Sequence, residues 1–268
     1  DHLACGTTSM LPTIVTTSFE NMLASIEMAK AYQAAGKPGV PGLHIEGPYI
    51  SLEKKGAHNP KHIRKPTRQE LSTLLNKGEG IIKMITIAPE LFTLEQVALL
   101  REAGIIVAAG HSAITDEAAR PYFKAGINCV THLYNAMSPF QGREAGLTGA
   151  TLATDVYSSI VVDGFHCSMT AVKIAHRLKK GKLFLISDAT FIGSEDLEMD
   201  GIQFIYRDGI YVNSQGNLAG SNITMLDAVK IAVKQAGIAL ADAIDMAAAI
   251  PLQLLQMDDR YGKVAPGY

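Results

Sequence analysis

The sequence has little excess charge, few cysteines and no long hydrophobic run. Its 268 residues carry a formal net charge of −2, so neither a nucleic acid nor an anionic membrane is expected as a partner. No apolar stretch approaches the roughly 18 residues that a membrane-spanning helix needs. The three cysteines are an odd number without metal-type spacing, and they predict a reducing, cytoplasmic location rather than a disulfide framework: Cys5, Cys129 and Cys167.

Internal repeats, low-complexity tracts and a glycine-rich phosphate-binding fingerprint are also missing. That fingerprint would usually follow an early strand of an open doubly wound sheet, which is the alternative architecture for this chain. Hydrophobic residues make up 47% of the sequence, enough for a large core. They form short continuous runs followed by segments of helical period, a pattern typical of parallel strands covered by helices. The sequence therefore predicts an α/β fold, a (β/α)₈ barrel of the TIM type.

Seven strand–helix units are visible, one fewer than such a barrel requires. We expect the missing first strand to precede Asp1. After the seventh strand, residues 202–212 predict a hairpin that turns at Asp208–Gly209. Helices are predicted near residues 224–236 and 240–249. The seven strands are predicted within the segments "SMLPTIVTTS", "GLHIE", "IIKMITIAPE", "IIVAAGHS", "NCVTHLYNAM", "YSSIVVDGFH" and "LFLISDAT".

Three helix starts have the spacing of a capping box, in which two side chains three residues apart bond reciprocally to the backbone. They predict where the first three helices begin. The pairs are Thr17 with Glu20, Thr67 with Glu70, and Thr93 with Gln96.

Residues of metal-binding or acid–base type stand at the ends of most predicted strands. In a barrel of this kind, the C-terminal ends of the strands converge on the face that carries the active site. Each residue alone has an ordinary structural explanation, but their recurrence predicts a shared site. Glu90, at the end of the third strand, is given no role. The five candidates are Glu46, His111, His132, His166 and Asp188.

One glutamate and two histidines in this set, Glu46, His111 and His132, form a candidate metal site. Three protein ligands with a fourth position open for water are typical of a catalytic zinc ion rather than a structural one. A metal ion can lower the pKa of bound water from about 15.7 to about 7. Asp188 would then suit a general base. We therefore predict one divalent metal ion per site, with zinc as the expected metal.

Seven segments occur in order between residues 42 and 226: "GLHIEGPYI", "KKGAHNP", "AGHSAIT", "THLYNAMSPFQGRE", "VVDGFH", "ISDAT" and "LAGSNITM". Together they resemble the N-acetylglucosamine-6-phosphate deacetylases of the amidohydrolase superfamily. The resemblance implies a metal-dependent enzyme with a barrel of the amidohydrolase kind. Its implied reaction is hydrolysis of the acetamide of N-acetylglucosamine 6-phosphate, which yields glucosamine 6-phosphate and acetate.

The resemblance implies a role for each candidate residue. Glu46, His111 and His132 match the metal ligands, and Asp188 matches the catalytic acid–base. His166 matches a catalytic histidine that meets the amide carbonyl of the substrate. Arg143 matches an arginine that crosses the interface of a homodimer to bind the phosphate of the neighbouring subunit's substrate. The remaining matches are substrate contacts, at Ala57, His58, Asn135, Ala136, Leu218, Ala219 and Gly220.

Comparison with the family pattern also implies parts that this chain lacks. The family's first barrel strand often carries a pair of histidines that decides between one and two metals, so a second metal ion stays possible. The barrel is assigned to residues 1–250 and is N-terminally incomplete. Residues 251–268 are assigned to the start of the return to a small β-domain that is largely absent.

Two other functions stay open. Another amidohydrolase, acting on N-acyl amino acids or cyclic amides, would share the metal site but not the phosphate-binding Arg143 and the turn at Asn135–Ala136. A non-catalytic sugar-phosphate sensor would keep the pocket but lose Asp188 or a metal ligand, and the sequence retains them all.

Overall fold

A computed structural model of the chain describes residues 2–190, 193–262 and 266. Contacts between residues divide the chain into two compact units. The first unit comprises Thr8–Thr131 and Ala136–Ala150. The second comprises Asp1–Thr7, His132–Asn135 and Thr151–Tyr268.

The first unit is built around parallel strands in chain order, each pairing with the next. Strand β2 is buried at every residue, as expected when both faces of a parallel sheet are covered. The strands are β1 (Thr13–Val15), β2 (Leu43–Glu46), β3 (Ile82–Ile87), β4 (Ile106–Ala109) and β5 (Ile127–Val130). The helices are α1 (Phe19–Ala34), α2 (Arg68–Lys77), α3 (Leu94–Glu102) and α4 (Asp116–Ala125). Helix α5 (Gly146–Leu152) lies where the chain passes to the second unit.

The second unit contains a parallel strand pair and a small antiparallel sheet. Strands β6 (Tyr157–Val161) and β7 (Leu183–Ile186) pair in parallel, with α6 (Met169–Leu178) between them in the chain. A second sheet follows, formed by β8 (Leu197–Met199), β9 (Ile202–Arg207) and β10 (Ile210–Asn213). Three later helices contact β7: α7 (Met225–Lys234), α8 (Leu240–Ala247) and α9 (Ala249–Leu254).

The predicted elements are observed with small changes at their ends. All seven predicted strands are present, as β1 to β7, and the hairpin is β9–β10. Its turn residues Asp208 and Gly209 have φ of 48° and 91°, which suits the tight turn between antiparallel strands. The helices predicted near 224–236 and 240–249 are α7 and α8. The division at residues 250 and 251 stays a prediction, and part of 251–268 lies outside the described residues.

Two of the three predicted capping boxes are confirmed. Thr67 with Glu70 caps α2, and Thr93 with Gln96 caps α3. The prediction for α1 is wrong by one residue, because the hydroxyl of Ser18, not that of Thr17, accepts the N–H of Asn21 and caps the helix. In the described part of the chain, no helix combines the length and the apolar character that crossing a membrane requires.

Candidate active site

Two of the predicted metal ligands meet in the first unit. Glu46 is the last residue of β2, and His111 follows β4 by two residues. Both are buried, with 4% and 5% of their surface exposed, and Nε2 of His111 lies 3.1 Å from Oε1 of Glu46. A buried carboxylate is costly unless a proton donor or a cation compensates its charge. The strand ends thus bring together a buried acid and a histidine, as the sequence predicted.

The proton on His111 decides what this pair can bind. Nδ1 of His111 lies 2.8 Å from the carbonyl oxygen of Lys54. A carbonyl oxygen only accepts, so Nδ1 carries the proton and Nε2 of the neutral ring is a lone pair. That lone pair faces the carboxylate of Glu46, and two acceptors need a cation or a shared proton between them. A backbone carbonyl that fixes the second nitrogen is the usual support of a metal-binding histidine, so the residues fit a metal ion.

His58 lies beside this pair but carries its proton on the other nitrogen. The backbone N–H of Thr16 donates to Nδ1 of His58 at 3.4 Å, and the Thr16 hydroxyl lies 2.7 Å from the same atom. Nδ1 therefore accepts, and the proton lies on Nε2. The ring of His58 meets that of His111 edge to face, with centroids 4.4 Å apart.

The ligand atoms of Glu46, His58 and His111 all lie within 4.8 Å of one another, so among the described residues these three could hold a metal ion. The sequence predicted two members of this cluster, Glu46 and His111, as metal ligands and the third, His58, as a substrate contact. The role of His58 in substrate binding stays a prediction.

The backbone directly after Glu46 leaves no room for a larger side chain. Gly47 follows Glu46 with φ of 78°, and a Cβ there would lie 2.1 Å from the hydroxyl oxygen of Thr16. Gly47 therefore lets the chain turn directly after the acid while Thr16 holds His58. The loop that contains the matched position Ala57 also packs here, because a Cβ on Gly56 would lie 3.5 Å from the ring of His111.

Glu90, to which the sequence gave no role, supports the segment after His111. Its carboxylate accepts the hydroxyl of Ser112 at 2.6 Å and the backbone N–H of Ala113 at 2.8 Å. The segment after His132 also contacts it, because the N–H of Ser112 donates to the carbonyl of Ala136 at 3.1 Å. Ala136 thus lies in the first unit as a backbone contact of the His111 segment, with φ of 48°.

A buried polar chain that the sequence analysis missed crosses the strands of the first unit. Nε2 of His44 lies 2.7 Å from the hydroxyl of Thr86, and that hydroxyl lies 2.7 Å from the hydroxyl of Thr131. The other nitrogen of His44 lies 3.1 Å from the Thr13 hydroxyl. For His44 the signal available in the sequence was its place two positions before Glu46 in "HIE", on the same face of the strand.

The third predicted ligand, His132, lies in the second unit and has the same proton arrangement as His111. Nδ1 of His132 lies 3.2 Å from the carbonyl oxygen of Asn135, so the neutral ring presents a lone pair at Nε2. Its backbone N–H donates to the Ser159 hydroxyl at 2.8 Å, and the residue is 4% exposed. The amide of Asn135, a predicted phosphate contact, donates to the carbonyl of Leu133 at 3.3 Å.

His166 forms a buried pair with Asp163, a residue that the sequence analysis did not single out. Nδ1 of His166 lies 2.6 Å from Oδ2 of Asp163. Oδ1 accepts the backbone N–H groups of Phe165 and His166, both at 2.8 Å. The signal for this residue was an acid two positions after the end of β6 and three positions before a candidate histidine.

Asp188 and the predicted substrate loop are adjacent in the second unit. The backbone N–H of Ser221 donates to the carbonyl of Asp188 at 2.8 Å, and Ala219 accepts the hydroxyl of Thr190 at 2.9 Å. Gly220 has φ of 70°, and a Cβ there would lie 2.5 Å from the carbonyl oxygen of Asp188. Leu218, the first residue of the loop, bridges Val212 of β10. The structure thus places one predicted substrate contact, Gly220, against the backbone of the predicted base.

Arg143 is exposed on a loop of the first unit. The next residue, Glu144, fixes that loop, because its Oε1 accepts the backbone N–H groups of Asp116 and Gly146, both at 2.9 Å. Asp116 is the first residue of α4, where the helix dipole favours a carboxylate.

Comparisons with known proteins agree on one family. The model of the amidohydrolase family matches residues 1–268. N-acetylglucosamine-6-phosphate deacetylase of Haemophilus influenzae is 39% identical over 99% of this chain and 71% of its own length. N-acetylgalactosamine-6-phosphate deacetylase of a Shewanella species is 36% identical over 99% of this chain and 68% of its own length.

Solved structures give the same result. The crystal structure of N-acetylglucosamine-6-phosphate deacetylase from Pasteurella multocida has a TM-score of 0.94 at 36% identity, over 97% of this chain and 69% of that one. A variant of the Mycobacterium smegmatis enzyme in complex with N-acetyl-D-glucosamine-6-phosphate has a TM-score of 0.88 at 29% identity, over 93% of this chain and 68% of that one. These likenesses confirm the predicted α/β class and the resemblance found in the sequence. The chain belongs to the amidohydrolase family.

Proposed function

We propose that the chain hydrolyses the acetamide of N-acetylglucosamine 6-phosphate to glucosamine 6-phosphate and acetate. The observation that carries the proposal is the buried pair of Glu46 and His111, in which a carboxylate oxygen and an imidazole lone pair face each other at 3.1 Å. Relatives that resemble the chain over nearly its whole length are deacetylases of N-acetylated sugar phosphates.

Glu46, His111 and His132 would hold the metal ion, and zinc is the proposed metal because it favours a small set of nitrogen and oxygen ligands with one position left open. When bound, the ion would polarise the amide carbonyl and make water acidic. Both histidines support this assignment, since a backbone carbonyl holds the proton of each on Nδ1. His58, whose Nδ1 accepts a hydrogen bond from Thr16, is proposed as a hydrogen-bond donor to the sugar. One ion per chain is proposed.

Asp188 is the proposed general base and acid. It takes a proton from the attacking water as the carbon–oxygen bond forms, and it returns a proton to the nitrogen as the carbon–nitrogen bond breaks. An amine leaves poorly until it is protonated, so one carboxylate serves both steps. Asp188 lies two residues after β7, and the N–H of Ser221, which directly follows the loop from Leu218 to Gly220, donates to its carbonyl, which supports a fixed position for Asp188 beside the sugar.

His166 is proposed to contact the oxygen of the amide carbonyl. A hydrogen-bond donor at that oxygen stabilises the charge that develops there, a contribution of about 3–4 kcal/mol per donor in well-studied cases. The remaining polar contacts would hold the sugar and its phosphate, through Ala57, His58, Asn135 and Ala136. Remote contacts of this kind supply binding energy that positions the reacting group.

The phosphate would be gripped by Arg143 of the partner in a homodimer. A guanidinium can bind phosphate through two parallel hydrogen bonds, which a surface lysine cannot match in geometry. Exposure of Arg143 on a loop held by Glu144 supports a residue that reaches outward rather than into its own unit.

The location proposed for the protein is the cytoplasm. Cys129 and Cys167 are buried, and the described thiols form no disulfide. Such buried thiols suit a reducing compartment.

The test is a panel of substrates assayed for release of a primary amine. We expect the highest kcat/KM with N-acetylglucosamine 6-phosphate, and a much lower value with unphosphorylated N-acetylglucosamine because the phosphate contacts are lost. The panel includes N-acetylgalactosamine 6-phosphate, which differs only in the configuration at C4 and is the sugar named for one relative. A preference for this sugar would correct the proposed sugar but leave the reaction intact.

Two further outcomes would replace the proposal. A preference for N-acyl amino acids or cyclic amides would point to another amidohydrolase. Tight binding of the sugar phosphates without turnover, with the metal bound, would indicate a sensor.

A further inference from the structure

Asp163 is a buried carboxylate to which the proposed reaction gives no role. Its side chain is 2% exposed, and that of His166 is 6% exposed. A carboxylate so enclosed is costly unless donors bind it. Three N–H groups do so here, and all belong to the two residues Phe165 and His166. The turn "DGFH" therefore folds around the carboxylate of Asp163, which contacts the candidate catalytic histidine.

The hydrogen bonds fix where the protons lie. Burial by itself raises the pKa of the Asp163 carboxyl, but the hydrogen bonds and charge of His166, with the backbone of Phe165, outweigh it and hold that pKa below its ordinary value. The ionised carboxylate can only accept, so Nδ1 of His166 carries a proton. In the neutral ring, Nε2 then carries a lone pair and can only accept.

We infer that Asp163 is a positioning residue that holds the imidazole of His166 in one orientation and lets its Nε2 donate to the amide oxygen of the substrate. This inference rests on the proposed function, in which His166 meets that oxygen. A lone pair at Nε2 would repel a carbonyl oxygen. Nε2 donates only when the ring is an imidazolium, and the ionised Asp163 beside it supplies the compensating charge.

The other titratable groups near the pair are neutral around pH 7. Burial raises the pKa of the Cys167 thiol to about 11, and the amide of Asn135 donates to its sulfur. Burial also raises the pKa of Tyr134 to about 12, and its hydroxyl donates to the carbonyl of Ala171. Cys167 and Tyr134 thus bring no charge to the pair, and the charge that acts on His166 is that of Asp163.

The variant Asp163→Asn separates orientation of His166 from support of the turn. The amide oxygen can keep the two backbone hydrogen bonds at the position of Oδ1. Its NH₂ group must then face Nδ1 of His166, so the proton of the neutral ring moves to Nε2. The matched control is Asp155→Asn, a change of the same kind at a side chain that is 90% exposed in the same unit.

The direct measurement is ¹⁵N NMR of histidine-labelled holoenzyme, which needs no substrate. We expect neutral His166 to carry its proton on Nδ1 in the unsubstituted protein and in Asp155→Asn. In Asp163→Asn we expect the proton on Nε2. Neutral His166 protonated on Nε2 in the unsubstituted protein would overturn the inference, and this arm holds even if Asp163→Asn fails to fold.

Kinetics provide the second arm. Asp163→Asn should lower kcat by about tenfold with little change in KM, because a neutral Nε2–H remains at the developing oxyanion but the stronger, charge-assisted bond of an imidazolium is lost.

A double variant decides whether Asp163 acts through His166. Asp163→Asn combined with His166→Ala should be no slower than His166→Ala alone. Losses that multiply would mean that Asp163 acts by itself, which would overturn the inference. Absence of acetate release by the unsubstituted enzyme would overturn the proposed function instead, and the position of the proton in the NMR experiment would still decide the role of Asp163 toward His166.

Discussion

The three candidate residues His111, His132 and Asp188, which follow strand ends, hold backbone conformations that most side chains avoid. His111, His132 and Asp188 have φ of 47°, 34° and 49°, and each follows the end of a parallel strand. The left-handed region costs about 1–2 kcal/mol for a residue with a Cβ. Such strain persists where surrounding contacts over-determine it, and it is concentrated at functional sites. At His111 those contacts include the bonds of Glu90 to the next two residues.

Removing a metal ligand should abolish metal binding and turnover together. His111→Ala and His132→Ala each leave two protein ligands, too few for a stable catalytic zinc site. Metal content by mass spectrometry should fall below about one-tenth of the unsubstituted value. Even the loss of a residue that only supports a metal ligand lowers metal affinity about tenfold or more. His176→Ala, on the surface of α6 beside Asp242, is the control and should keep its metal. Full occupancy in His111→Ala would remove it from the ligand set.

Gly220 should not tolerate a side chain. A Cβ there would lie 2.2 Å from the hydroxyl oxygen of Thr190 and 2.5 Å from the carbonyl oxygen of Asp188, in addition to the strain of φ 70°. Gly181 has a similar φ of 77° but open space around it, so Gly181→Ala measures the backbone strain alone. We expect Gly181→Ala to lower the free energy of unfolding by about 1 kcal/mol and Gly220→Ala to lower it clearly more. Equal losses in denaturant titrations would show that the loop has room to move.

The sequence predicted which residues stand at strand ends but not their orientation. Glu46 and His111 could be expected to meet, because parallel strands end on one side of a sheet whatever lies between them in the chain. The tautomers could not, since they depend on the carbonyl of Lys54 and on Thr16, which reach the histidines through tertiary packing. Glu90 and Asp163 were missed for the same reason.

At the scale of elements, the sequence predicted helix starts and turns correctly where the hydrogen bonds that form them join residues close together in the chain. Helices α2 and α3 begin at the predicted caps, and the β9–β10 hairpin turns at the predicted dipeptide. Helix α1 is the instructive failure, because Thr17 and Ser18 are adjacent hydroxyl residues and both have acceptable spacing. Ser18 accepts the backbone N–H of Asn21, whereas Thr17 accepts the side-chain amide of the same residue.

The two hydroxyls of α1 should therefore differ in their effect on stability. Ser18→Ala removes the cap and should lower the free energy of unfolding by about 1 kcal/mol. Thr17→Ala is the matched control, and its exposed bond to a side-chain amide should contribute only a few tenths of that, about 0.3 kcal/mol. Urea titrations of both variants measure the difference. A larger loss in Thr17→Ala would restore the capping box that the sequence predicted.

At the scale of the whole molecule, the proposed dimer makes each site depend on a second chain. Arg143→Ala should raise KM for N-acetylglucosamine 6-phosphate strongly and barely change the slow hydrolysis of unphosphorylated N-acetylglucosamine. Arg101→Ala, at an arginine with 58% of its side chain exposed, is the control and should leave both unchanged. Equal effects on the two substrates would mean that Arg143 does not bind phosphate.

Mixed dimers test whether the arginine crosses the interface. Asp188→Asn alone should lose at least about 10²-fold in turnover. In a mixed dimer with Arg143→Ala, the site that keeps Asp188 lies in the Arg143→Ala subunit and receives an intact Arg143 from its partner. High-affinity activity should return in about half of the sites of each mixed dimer, as symmetry requires. If subunit exchange is verified and no activity returns, Arg143 does not act across an interface.

The central claim is that a metal ion held by Glu46, His111 and His132 is required to cleave an acetamide. The most direct measurement follows acetate and primary amine together, from N-acetylglucosamine 6-phosphate, before and after removal of the metal by a chelator. The account predicts equal amounts of both products, loss of both on chelation, and full recovery at one zinc ion per chain. Undiminished turnover by the metal-free protein, or metal-loaded protein that releases neither product, would contradict it.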